Sequence, residues 1–217
     1  MTFDAQLAFR ILPLLLRGLV VTLEATLAGF VFALAGGLVL ALGYRAKSWP
    51  ARAVSRSLVE FLRNTPLLVQ LYFLFYGLPL LGVRFSAMIT GVLGLGVYYS
   101  AYVAEVYRGG VDAVPAGQWD AARALRFSRA QTWWRIILPQ AIPPVIPVLG
   151  NYLIGMFKET PLLATITIPE LLSAARQVTG MTYRYSEPYT MVALIFLAAS
   201  YSTSLFFRRL ERKVGTS

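Results

Sequence analysis

The sequence contains no cysteine and no histidine, and only 14% of its 217 residues are charged. A soluble domain usually carries about a quarter charged residues. The two absences exclude disulfides, thiol chemistry, histidine proton relays and metal sites built from cysteine or histidine. None of the lysines, Lys47, Lys158 and Lys213, follows a glycine, so the chain lacks a Gly-Lys-Ser/Thr phosphate-binding loop.

Charge is absent from five long stretches of the chain: residues 25–44, 64–83, 85–104, 136–157 and 188–207. Each stretch has 20 residues or more, which is the length of helix that crosses a bilayer core. The sequence therefore predicts an all-α membrane protein with five transmembrane helices, at about residues 20–44, 57–81, 85–107, 137–158 and 188–208. We expect a single membrane domain over residues 1–217, with lipid around it.

The basic residues indicate an orientation. With the N-terminus outside, 14 lysines and arginines fall on one side of the membrane and 6 on the other. The positive-inside rule places the richer side in the cytoplasm, so we expect an inner-membrane, multi-pass chain with an outside N-terminus and a cytoplasmic C-terminus. The net charge of +10 then needs no nucleic acid as a partner. Residues 1–23 mix charges with leucines, which predicts an amphipathic segment on the outer surface.

Two spans have unusual composition. The first contains Gly29, Gly36 and Gly37, which either allow a second helix to pack closely or reflect the general abundance of glycine in membrane helices. The fourth has four prolines, at positions 139, 143, 144 and 147, and is expected to line a pathway or a subunit interface. Residues 160–169 are apolar but too short to span, so they form an outer re-entrant segment or a surface loop.

A basic, alanine-rich insert at residues 109–135 separates two of these spans. The residues around Pro115 and Gly117 predict the start of a short cytoplasmic helix, on which another protein could dock. Asp120-Ala121-Ala122, followed at fixed spacing by Ile136-Ile-Leu-Pro139, resembles the coupling loop of ABC importer permeases. That resemblance implies a type I ABC importer permease fold and contact with a cytoplasmic ABC ATPase dimer. The residues implied in coupling are Gln118, Asp120, Ala121, Ala122, Arg123, Leu125, Arg126 and Phe127.

Arg126 departs from the family pattern, which has glycine at this position, where the short helix turns. Glycine favours such a position because it adopts positive φ without a steric penalty. A carboxylate at Asp120 that merely caps a surface helix is the alternative to a coupling role.

Other segments resemble the polar amino-acid branch of these permeases. They are Arg63-Asn-Thr-Pro-Leu-Leu-Val-Gln70, Tyr102-Val-Ala-Glu105-Val-Tyr-Arg108, and the fourth span with Asn151 and Lys158-Glu159-Thr160. Glu105 and Arg108 are expected to form an ion pair at a helix end. Arg63 is expected to extend to the cytoplasmic headgroups.

The solute pathway is expected to involve Asn151, Tyr152, Lys158, Glu159, Thr160 and Tyr102. The adjacent charges at 158 and 159 suit the two ends of a zwitterion, or they pair with neighbouring helices. Many branch members have Asn-Glu where this chain has Asn151-Tyr152, and a tyrosine ring holds a compact cation or amidinium instead. Tyr98, Tyr99 and Tyr102 either line a passage or only pack together.

Three segments resemble permease subunits for ectoine and hydroxyectoine in particular: Leu93-Gly-Leu-Gly-Val-Tyr-Tyr99, residues 139–158, and Tyr183-Arg-Tyr-Ser-Glu-Pro188. The resemblance implies an ATP-driven importer of a small polar amino acid or a similar solute, with an extracytoplasmic solute-binding protein and a second permease copy or paralogue. No cofactor is expected in this chain, since ATP and Mg²⁺ would be bound by the ATPase. The alternatives are a secondary carrier driven by an ion gradient and a membrane-embedded enzyme. The five stretches carry no charged side chain for a carrier to use at mid-membrane, and an enzyme would lack histidine, cysteine and a mid-membrane acid pair.

Overall fold

The computed structural model describes residues 3–214, and all regular structure in that range is helical. The α-helices are α1 (Ala5–Tyr44), α2 (Trp49–Asn64), α3 (Leu67–Tyr72), α4 (Ala87–Asp112), α5 (Ala116–Ala124), α6 (Arg129–Thr132), α7 (Leu138–Glu159), α8 (Leu171–Thr182) and α9 (Ser186–Val214). Within the described residues, α1, α4, α9 and the continuous segment 129–166 are long and apolar enough to span a membrane. The fifth candidate is the pair Trp49–Asn64 and Leu67–Leu81, which is bent by 104°.

The first helix is much longer than predicted. It has 40 residues, which corresponds to about 60 Å of helix, whereas a bilayer core is about 30 Å thick. The helix runs without a break from Ala5 through the predicted boundary at residue 20, so that boundary is wrong and residues 5–23 are not a separate segment. Asp4 caps the helix by accepting the Leu7 N–H at 3.0 Å, and its own N–H donates to the buried Glu187 at 2.9 Å.

Small residues bring α1 and α4 together, as the close-packing interpretation of the glycines predicts. A Cβ atom placed on Gly37 would lie 2.5 Å from Val103 Cγ1, and one on Gly29 would lie 3.2 Å from Leu95 Cβ. A methyl group would clash at Gly37 and would be tight at Gly29, so the two glycines allow the helices to approach closely. The main core forms beside this contact and includes Leu71, Leu95, Tyr99, Met156 and Leu163.

The second predicted span, 57–81, is not one straight helix. It breaks at Thr65 and Pro66, because proline disfavours helical backbone in the residue before it and donates no N–H. Beyond α3 the chain forms a π-helical turn at Phe73–Gly77 and a 3₁₀ turn at Leu78–Leu81. Gly82, in the left-handed conformation at φ 84°, then reverses the chain towards α4.

The proline-rich span remains helical through Pro143, Pro144 and Pro147. Its irregularity comes earlier, at a π-helical turn over Trp133–Ile137. After α7, the segment Thr160–Ile166 forms a 3₁₀ helix with Leu163 and Ile166 fully buried. It is therefore part of the core and not a surface loop.

Helix α8 was not predicted. Glu170 caps it by accepting the N–H groups of Leu172 at 2.8 Å and Ser173 at 2.6 Å, while burial raises the pKa of the Glu170 carboxyl. Helix α8 packs with the N-terminal half of α1 and the start of α9 around Leu15 and Leu171. A second hydrophobic cluster thus supports the early part of α1.

Candidate functional site

The predicted coupling segment is a separate short helix, α5, anchored to the bundle by one face. The rings of Trp119 and Trp133 meet edge to face, with centroids 5.6 Å apart. Ala122 is fully buried on the same face. In addition, the Arg45 guanidinium carbon lies 5.7 Å from the centroid of the Trp133 ring. These contacts connect α5 to the C-terminal end of α1 and to the turn before α7.

The other face of α5 is open. Asp120 accepts a hydrogen bond from Arg123 at 2.5 Å, and the two side chains are 66% and 78% exposed. Ala121 and Leu125 are exposed, and the Gln118 amide oxygen accepts a hydrogen bond from Gln140 at 3.4 Å. This face offers charged, polar and apolar groups to a partner.

Arg126 occupies the position where the sequence pattern predicts a glycine, and its φ is 56°. The Phe127 N–H donates to the Ala122 carbonyl at 3.0 Å, and the Arg126 N–H donates to the Arg123 carbonyl at 3.0 Å. These two bonds form a Schellman ending, in which the residue after the cap is left-handed. Arginine therefore keeps the turn of the family pattern, with a steric cost of about 1 kcal/mol or more.

Replacing Arg126 with glycine is expected to stabilise this turn, because the strain at positive φ is removed. A gain of about 1 kcal/mol in the local stability of the turn corresponds to roughly fivefold slower hydrogen exchange at the backbone amides of residues 126 and 127. Exchange measured by mass spectrometry on the purified protein tests the expectation. Arg126→Ala is the control, since it removes the charge and keeps the strain; slowing in both variants would attribute the effect to charge.

The sequence interpretation missed how the segment continues after α5. Ser128 accepts the Gln131 N–H at 3.3 Å, and the Gln131 side chain accepts the Ser128 N–H at 2.8 Å. This capping box starts α6 and leads into the π-helical turn before α7. The signal was present as Ser-x-x-Gln at residues 128–131.

A second candidate site begins at the break between α2 and α3. The Gln70 amide donates to the Leu62 carbonyl at 3.0 Å, the Thr65 carbonyl at 3.2 Å and the Thr65 hydroxyl at 2.7 Å. The Thr65 hydroxyl in turn donates to the Phe61 carbonyl at 2.8 Å. Side chains thus satisfy carbonyl groups released by Pro66, which is how a broken helix persists at membrane depth.

Four tyrosines from two helices meet in one cluster. Tyr98, Tyr99 and Tyr102 come from α4 and Tyr152 from α7. The Tyr102 and Tyr152 centroids are 5.6 Å apart, and those of Tyr99 and Tyr152 are 6.1 Å apart. The hydroxyls of Tyr98 and Tyr102 are hydrogen-bonded at 3.0 Å. We call these four residues the tyrosine cluster.

Opposite charges lie at two sides of the tyrosine cluster. The Tyr99 hydroxyl donates to the half-buried Glu159 carboxylate at 2.9 Å. The guanidinium carbon of Arg63 lies 5.5 Å from the centroid of the Tyr102 ring. Arg63 therefore contacts the bundle near the helix break. Aromatic faces together with one anion and one cation form a set of groups that suits a small zwitterion.

The other predicted pathway residues do not join this cluster. Lys158 is exposed and lines a cavity with Phe196 and Ser200 of α9, so it does not converge with Glu159. Asn151 is exposed. Thr160 is fully buried, and its hydroxyl donates to the Phe157 carbonyl at 2.7 Å.

Residues 33–216 match the model of a family described as the binding-protein-dependent transport system inner membrane component. A probable amino-acid ABC transporter permease of Sinorhizobium fredii is 46% identical over 213 residues, which cover 95% of this chain and 90% of that protein. A probable amino-acid ABC transporter permease of Bacillus subtilis is 36% identical over 218 residues, covering 97% of this chain and 93% of the relative.

Solved structures agree in fold. A chain in the crystal structure of an amino acid ABC transporter with histidines superposes with a TM-score of 0.93 at 37% identity, covering 98% of this chain and all of that one. The MetNI methionine ABC transporter gives a TM-score of 0.78 at 20% identity, covering 93% and 96% of the two chains. The predicted type I ABC importer permease fold is confirmed.

Proposed function

Because this chain belongs to the family of binding-protein-dependent inner-membrane transport components and is a permease subunit of an amino-acid ABC transporter, we propose that α5 couples it to ATP hydrolysis and that the tyrosine cluster holds the solute. As a permease of this family the chain is a transport subunit, not an enzyme. It works in the inner membrane with an ATPase and a solute-binding protein. The N-terminus is assigned to the outside and the C-terminus to the cytoplasm.

The coupling role is supported by the shape and anchoring of α5. An exposed face carries Gln118, Asp120, Ala121 and Leu125, while the buried face is fixed through Trp119. A dimer of ATPases that binds ATP and Mg²⁺ would dock on this exposed face. A second permease copy or paralogue would complete the pathway and receive the other ATPase.

The solute role rests on one observation: Glu159 bonds to Tyr99 and Arg63 lies over the ring of Tyr102, so that an anion and a cation stand at two sides of the tyrosine cluster. A cation or amidinium would lie against the rings near Glu159, and a carboxylate would bind Arg63. Cation–π contact contributes about 0.5–2 kcal/mol, depending on desolvation. These groups favour a compact amino-acid-like zwitterion, of which ectoine and hydroxyectoine are examples.

Transport in proteoliposomes tests both assignments. The permease would be reconstituted with its ATPase, and uptake of labelled ectoine, glutamine and arginine would be compared with and without ATP and the binding protein. Uptake that requires both supports the importer, and the preferred label identifies the solute. Uptake by the permease alone, driven by an ion gradient, would overturn it in favour of a secondary carrier.

Replacing Tyr152 with glutamate is expected to shift solute preference towards arginine. The Tyr152 ring packs against those of Tyr99 and Tyr102, so a carboxylate on this side chain would attract a second positive charge of the solute, at the expense of the ring face that holds a single compact cation. We expect the arginine-to-ectoine uptake ratio to rise at least tenfold. Tyr152→Phe, which keeps the ring, should leave that ratio nearly unchanged. An unaltered ratio in the glutamate variant would remove Tyr152 from the solute site.

A further inference from the structure

An apolar groove lies on the inner part of the bundle, beside the residues that anchor α5 and away from the tyrosine cluster. Its cavity of about 590 Å³ is enclosed by the inner ends of α1 and α4 and the first half of α7. The apolar lining includes Leu38, Leu42, Trp134, Ile142, Val145 and Leu149. Several of these side chains are strongly exposed, Leu42 at 63% and Trp134 at 74%. The groove shares no residue with the tyrosine cluster.

Two arginines, Arg45 and Arg108, provide the charges of this groove. Arg45 donates to Asp112 at 2.5 Å, and Arg108 donates to Asp112 at 3.0 Å and to Glu105 at 2.6 Å. The ion pair predicted between Glu105 and Arg108 is thus present within a larger network. The acids fix both guanidinium groups at the groove without using all five donors that each possesses.

The groove is lined by the C-terminal ends of two candidate membrane spans, α1 and α4, which is where lipid headgroups would meet hydrocarbon. Arg45 directly follows α1, Asp112 ends α4, and the indoles of Trp133 and Trp134 stand beside the same opening. Tryptophan concentrates at that boundary in membrane proteins. With the proposed orientation, this boundary belongs to the cytoplasmic leaflet, where basic pockets between helices bind anionic headgroups.

We propose that this groove binds an anionic phospholipid of the inner leaflet, with an acyl chain along α7 and the phosphate at Arg45 and Arg108. The site has a route to the coupling helix, because Arg45 stacks on Trp133 and Trp133 contacts Trp119 of α5. A bound phosphate holds the Arg45 side chain in place and thereby stabilises the position of α5. The inference rests on the proposed orientation but not on the solute or on transport.

Native mass spectrometry of the permease–ATPase complex tests this proposal. The complex would be exchanged into mild detergent with phosphatidylglycerol or phosphatidylcholine of identical acyl chains, and retained lipids would be counted. We expect phosphatidylglycerol to be retained about tenfold more than phosphatidylcholine, and Arg45→Gln to lower that preference to about twofold, because a charged hydrogen-bond donor is lost. Ile142→Trp, which fills the groove, should abolish retention of this lipid.

The matched control is Val148→Trp, which enlarges an exposed residue of the same helix outside the groove. It should retain lipid like the wild type. Equal retention of the two lipids by the wild type would show only annular binding and overturn the proposal. So would equal retention by Ile142→Trp and Val148→Trp, or a wild-type complex without bound lipid. Since none of these readouts measures transport, failure here is distinct from failure of the importer assignment.

Discussion

Asp120→Lys is expected to abolish solute-stimulated ATP hydrolysis while the permease still folds and inserts. The Asp120 side chain is 66% exposed and pairs with Arg123, which is itself exposed, so reversing its charge removes no buried interaction. A docking ATPase, in contrast, would meet a lysine where it pairs with a carboxylate. Like charges across an interface cost several kcal/mol, which corresponds to more than a hundredfold loss of coupling.

Two further variants separate docking from helix stability. The double variant Asp120→Lys/Arg123→Asp restores an i, i+3 ion pair on α5 with the charges exchanged. Its ATP hydrolysis should still not be stimulated by solute. Glu60→Lys makes the same charge reversal at an exposed position of α2 and should retain coupling. ATPase activity in proteoliposomes, with and without the loaded binding protein, measures all three. Normal stimulation of ATP hydrolysis in the Asp120→Lys variant would contradict the docking role of α5.

The membrane spans were predictable wherever charge-free sequence coincided with one straight helix. The predicted span 137–158 corresponds to helix α7 (Leu138–Glu159), and the predicted span 188–208 lies within helix α9 (Ser186–Val214). The insert at 109–135 was also expected to hold a short helix, found as α5. In these segments, the desolvation of charge in lipid determines where each helix lies.

Tertiary packing explains the elements that were missed. Arg10 and Arg17 suggested that the chain before residue 20 lay on the surface, yet both are on the exposed side of a continuous helix whose other side packs against α8. The break at Pro66 had a local signal, but its 104° bend depends on how α2 and α3 pack against α4. Helix α8 was missed because its N-cap is Glu170, and glutamate is not a residue type favoured at that position.

Neighbouring residues in sequence can also serve different faces of one helix. Successive residues on an α-helix are about 100° apart, and this rotation turns Lys158 towards α9 while Glu159 points to Tyr99. Sequence alone supplied both charges but could not assign them to faces, because the positions of α4 and α9 around α7 were unknown. The pair therefore offers an internal comparison for the solute site.

Glu159→Gln is expected to lower uptake of a cationic or zwitterionic solute by roughly two orders of magnitude or more. Two opposite charges about 4 Å apart interact by about 4 kcal/mol at an effective dielectric constant near 20, and the amide retains none of that attraction. Glutamine has the same shape, and its carbonyl oxygen can still accept the Tyr99 hydroxyl bond, so the fold should persist. Lys158→Gln changes the adjacent charge on the other face and should alter uptake by no more than about threefold. Concentration-dependent uptake in proteoliposomes, with thermal unfolding of each purified variant, distinguishes loss of solute binding from loss of folding. Equal losses in the two variants would mean that Glu159 has no special place in the pathway, because general membrane electrostatics would then account for both.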